Sequence, residues 1–96
     1  MNEQQCLEAI AAGEPANLIL HRKIPGATVK WRRLCKHIRK FITEVQVEFP
    51  DAQYYTASGG FNLMLGEPHS RGSHGRAQQE LLALSGIGVS IGDGDF

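Results

Sequence analysis

Five cations, Arg32, Arg33, Lys36, Arg39 and Lys40, fall within nine residues that contain no acid. On a helix they project from one side of a rigid rod. Such rows contact the phosphates of a nucleic-acid backbone, and the counterions they release supply salt-dependent affinity. Arg22 and Lys23, a short distance upstream, extend the basic set. A surface helix needs a polar outer face in any case, and Lys and Arg are good helix formers. What sets this face apart is its single sign, because a merely solvated face mixes charges into i, i+4 pairs. Arg32, Lys36 and Lys40 instead form a run of like-charged neighbours. The same face also suits an acidic protein surface, or the acidic remainder of a second copy in a homodimer.

A second candidate is the polar loop at residues 66–75 with Arg76, where His69, Arg71, Ser73, His74 and Arg76 cluster. If a helix begins near His74, its free N–H groups add positive potential, and an anion could sit there. The spacing matches no phosphate-binding fingerprint. A catalytic histidine also needs a partner, such as Glu67 or Glu80, at hydrogen-bond distance. The plainer reading is an exposed loop. A zinc site from Cys6, Cys35, His69 and His74 has suitable ligand types but no finger or knuckle spacing, so the thiols read as buried apolar filler. No metal or cofactor is expected, and an enzymatic role is the less favoured one.

The elements that must hold these residues follow from periodicity. Over residues 28–48, Trp31, Leu34, Cys35, Ile38, Phe41, Ile42 and Val45 repeat as one helix face, opposite the cations. Thr28 suits the N-cap and Pro50 the stop. This stripe is expected to be the main contribution to the core. Residues 2–12 read as a short helix ended by Gly13 and Pro15. Residues 16–23, centred on Leu18, Ile19 and Leu20, read as a central strand bounded by prolines. Residues 53–58 and 61–65 flank Gly59-Gly60 and predict a β-hairpin. A third helix is expected over residues 74–84 with Ser73 as its cap, then a strand over residues 87–91. An acidic tail over residues 92–96 is expected to fray.

After the first helix this order is β-α-β-β-α-β. It is the ferredoxin-like split βαβ arrangement of an α+β two-layer sandwich, with an extra N-terminal helix. Single-strand RNA readers of that topology stack bases on aromatics of the two central strands. Here Asn17, Ile19, His21, Asn62 and Met64 would occupy the open face, and none is aromatic.

Composition sets the outer bounds. Ninety-six residues with 42% hydrophobic and 21% charged content suit one folded domain. The formal net charge is zero, yet eight of the ten basic residues lie between Arg22 and Lys40 with no acid among them. No apolar run is long enough to cross a bilayer and the first residues lack the pattern of a secretory signal, so a cytoplasmic protein with free thiols and no membrane partner is expected. The expected function is non-enzymatic binding through the basic helix face to nucleic acid or another polyanion. The alternative is a protein–protein adaptor or regulator, which could act as a homodimer.

Overall fold

The computed structural model describes residues 1–57, 59–70 and 75–92. Three helices come first: α1 (Glu3–Ala11), α2 (Ala16–Lys23) and α3 (Ala27–Glu48). Three antiparallel strands follow in the order β1 (Gln53–Ala57), β2 (Gly60–Met64) and β3 (Leu82–Gly86), with a single 3-10 turn (Gln79–Leu81) leading into β3. The chain is α+β, but the ferredoxin-like β-α-β-β-α-β order is overturned: among the described residues the three α-helices precede the three strands. It divides into two compact units, Met1–Ile38 and Arg39–Phe96, with the division inside α3.

In the first unit α1 forms where expected. The Asn2 side chain accepts from the Gln5 amide at 2.9 Å while the Gln5 side chain accepts from the Asn2 amide at 2.9 Å. These two bonds close a capping box and satisfy two otherwise orphaned N–H groups. The segment after it is helix α2 and not a strand. Pro15 precedes its first turn without needing to donate an N–H. His21, Arg22 and Lys23 fill its last turn, where the helix dipole favours cations. Of its aliphatic run only Ile19 is buried, at 6% exposure. A one-residue anchor is what a short helix gives; a central strand would have buried its neighbours too. Gly26, at φ +86°, makes the turn into α3, a conformation that costs a residue with a Cβ about 1–2 kcal/mol.

Helix α3 runs for 22 residues with no internal glycine or proline. It starts at Ala27, so Thr28 lies inside it and is not its cap. The Phe49 amide still bonds to the Val45 carbonyl at 2.9 Å, and Pro50 then ends the run.

In the second unit the hairpin forms one residue earlier than the Gly-Gly pair suggested. Ala57 pairs with Gly60, which is already in β2, and Gly59 at φ +71° belongs to the turn. Across the sheet Tyr54, Leu63 and Leu84 share one face, and Tyr55, Asn62 and Ser85 share the other. The ladder between β2 and β3 shifts between Leu63 and Met64. That irregularity breaks strict alternation, and Leu63 (7%) and Met64 (5%) are both buried, although Met64 was expected on an open face. Ala52, at 2%, seals the connection from the helix: its carbonyl accepts from Gln46 Nε2 at 2.8 Å and its amide donates to Phe49 at 2.9 Å.

The helix expected over residues 74–84 is replaced by the 3-10 turn and β3. Its proposed cap, Ser73, lies outside the described residues. Residues 87–91 form no strand. Of the tail, only Gly92 is described, and it is exposed.

Candidate polyanion interface

Arg32, Arg33, Lys36, Arg39 and Lys40 are all exposed on α3. At 100° per residue they cover an arc of about 120°, and the Arg32, Lys36, Lys40 row advances in steps of about 6 Å along the axis. Among the described residues none of the five forms an ion pair; the pairs present are Arg22 with Glu14 and Arg76 with Glu80. The acid that would mix the signs is missing within the row. Glu44, one turn beyond Lys40, is exposed on the same helix and is in neither of these pairs.

The upstream cations differ from one another. Arg22 Nε donates to Glu14 Oε1 at 2.8 Å, so its charge is already answered inside its own unit. Such an exposed pair contributes at most about 1 kcal/mol. Lys23, the last residue of α2, is exposed and makes no ion pair among the described residues.

The loop candidate loses its premise. Arg71, Ser73 and His74 lie outside the described residues. The helix whose N-terminus they would line is a three-residue 3-10 turn beginning at Gln79. The described part folds back on itself: His69 bridges Ala77, the Ser70 amide donates to the Arg76 carbonyl at 2.7 Å, and the Arg76 amide donates to Ser70 Oγ at 2.7 Å. Arg76 Nη2 also meets Glu80 Oε1 at 3.2 Å. The Glu80 carboxyl is held below the usual range, first by a hydrogen bond from its own backbone and then by Arg76. His69 sets its ring edge-on to Tyr55, with centroids 6.2 Å apart. Among the described residues no cluster of His, Cys, Asp and Glu has a metal-binding arrangement, and Cys6 and Cys35 are both half-buried free thiols.

Sequence reasoning missed an open cleft of about 610 Å³ over the second face of the sheet, between Tyr55, Asn62 and Met64 on one side and Pro68, His69 and Gln79 on the other. Its polar floor is already satisfied. Asn62 Nδ2 donates to the Tyr55 carbonyl at 3.1 Å, with the Ala57 and Gly60 carbonyls at 3.5 and 3.4 Å, and Asn62 Oδ1 accepts from Ser85 Oγ at 2.8 Å. A lone Asn inside a β-prone segment carries no sequence signal for this role.

The larger surprise is the apolar side of α3. Trp31 is 65% exposed, Leu34 51% and Phe41 44%, while Cys35, Ile38, Ile42 and Val45 are half-buried. The stripe expected to be the heart of the core is covered along one flank only. No helix of the described residues is long and apolar enough to cross a membrane. Comparison with protein-family models, with curated proteins and with solved structures gives no match.

Proposed function

We propose that the outer face of α3 binds a nucleic-acid phosphate backbone, with Arg32, Lys36, Arg39 and Lys40 as the principal contacts and Arg33 and Lys23 adding to the local field. The observation that carries this reading is the row itself: five exposed cations on one continuous helix with no carboxylate partner among the described residues. Like charges at i, i+4 weaken a helix by a few tenths of a kcal/mol per pair. A polyanion removes that repulsion and releases counterions as it docks. Contacts of this kind go to phosphates and carry no base information, so the binding is expected to be indifferent to sequence.

The test is a titration of duplex and single-stranded oligonucleotides over a range of salt. The parent chain should lose affinity with a log–log slope of about −3 to −4 on duplex, corresponding to about four phosphates. Replacing Arg32, Lys36 and Arg39 together by Gln should flatten that slope by about 2 to 3. If the variant keeps its helix content and binds as tightly as the parent, the row is not the contact surface and the reading fails.

A further inference from the structure

The apolar stripe of α3, with Trp31, Leu34 and Phe41 exposed and Ile38 and Val45 half-buried, has a heptad order. Trp31, Leu34, Ile38, Phe41 and Val45 are spaced alternately three and four residues apart, the spacing of the a and d positions of a coiled coil. In that frame Arg32, Arg33, Lys36, Arg39 and Lys40 all occupy b, c and f, the positions that face away from a partner helix. Lys30, His37 and Glu44 occupy g, beside the seam. Cys35 and Ile42 lie on the covered flank of the stripe and are half-buried. Leu34 and Phe41 lie on the opposite flank and stay open.

We infer that this flank pairs antiparallel with the same flank of a second copy of the chain. The occupant is identified by charge and register. In an antiparallel pair with its two-fold axis at the height of Lys36, Trp31 faces Phe41 of the second copy and Leu34 faces its Ile38. The g positions then meet each other, so Lys30 reaches Glu44 of the second copy, twice by symmetry. Sliding the pair by one heptad puts Lys30 opposite His37 in one direction and Trp31 opposite Glu48 in the other. A parallel pair places Lys30 beside Cys35 and forms no charge pair. One register therefore satisfies both the aromatic residues and the charges.

A second feature of α3 agrees. Its first turn has no acid and its last turn no base, while Lys30 lies near the N-terminus and Glu44 and Glu48 near the C-terminus. This is the reverse of what the helix dipole favours. An antiparallel neighbour offsets it, because each helix start, with its Lys30, lies beside the other's C-terminal end. The pairing is independent of the nucleic-acid reading and leaves both basic rows pointing outward.

Sedimentation velocity on the full chain tests it. The parent should dimerise by high micromolar concentration. Lys30→Glu and Glu44→Lys should each weaken the dimer about tenfold, since each places two like-charged pairs at the seam. The double variant carrying both changes should recover to within about threefold of the parent. Both positions are exposed, and circular dichroism confirms that the variants stay helical. A parent that remains monomeric, a dimer that neither single change weakens, or a double variant as weak as the singles each overturns the inference.

Discussion

Ser85 Oγ donates to Asn62 Oδ1 at 2.8 Å across the β2–β3 ladder, where the two residues are register partners. The same Asn62 amide donates backwards to the Tyr55 carbonyl at 3.1 Å. One carboxamide thus links all three strands, accepting on one side through its oxygen while donating on the other through its NH2.

Asn62→Ala should therefore cost about 0.5–1.5 kcal/mol, because it removes the side-chain hydrogen bonds to β1 and β3. Asn62→Asp should cost more at neutral pH, since it turns a carboxylate oxygen toward the carbonyls that Nδ2 now serves. The gap between the two variants should close as the carboxylate is protonated in acid. Thermal melts of both variants across pH check the order.

Tyr54 stacks on Phe61 with ring centroids 4.8 Å apart and an interplanar angle of 28°. Burial pushes its phenol up from the ordinary 10.0, and the hydrogen bond with the Ile42 backbone pulls it partly back. A group whose pKa is higher in the folded state contributes stability that is fully present below the unfolded value and lost as pH rises through the folded one. The fold should weaken in the alkaline range above about pH 10, and Tyr54→Phe should remove Tyr54's share of that loss. Denaturant melts of the parent and the variant through this range give the comparison. An identical alkaline loss in both would assign it to other groups.

The like-charge row makes stability and binding separable. Lys36→Glu gives two i, i+4 attractions, with Arg32 and Lys40, in place of two repulsions. It should stabilise α3 by about 1 kcal/mol while lowering oligonucleotide affinity. Improved melting combined with undiminished binding would break the link drawn between the row and its ligand.

At Gly26 an added Cβ would meet nothing within 4 Å, yet φ is +86°. Any penalty for Gly26→Ala is therefore conformational and not steric, about 1–2 kcal/mol. It should appear as a drop of several degrees in the melting temperature.

Parts of this protein are legible in its residues. The periodicity over residues 28–48 defines α3 to within a residue at each end; residues 44–49 also alternate like a strand, but Val45 and Phe49 keep the helical register and the helix runs on to Glu48. The hairpin follows from β-prone runs around glycines, though the turn falls one residue before the Gly-Gly pair. The single-signed row is visible as soon as the helix is drawn, and its exposure on that helix matches.

Short segments behave differently. In Leu82–Gly86 the leucines and alanine are good helix formers, yet the segment is drawn into a strand by the open edge of Phe61–Met64. The aliphatic run in α2 favours a strand by its length and bounding prolines yet folds as a helix, since eight residues give too few turns for a period to declare itself. Mistaking both exchanged the positions of helices and strands and produced the wrong topology. Over five to eight residues, propensity differences sum to little more than the value of one tertiary contact.

By itself, then, the sequence determined one long amphipathic helix, a hairpin and a segregation of charge, because each is a local pattern repeated often enough to outweigh its neighbours. Tertiary structure alone decided that α2 is helical, that β3 completes the sheet, and that only one flank of the α3 stripe is covered. Periodicity states that a face is apolar. What covers that face depends on residues far away in the chain, and no local pattern encodes them.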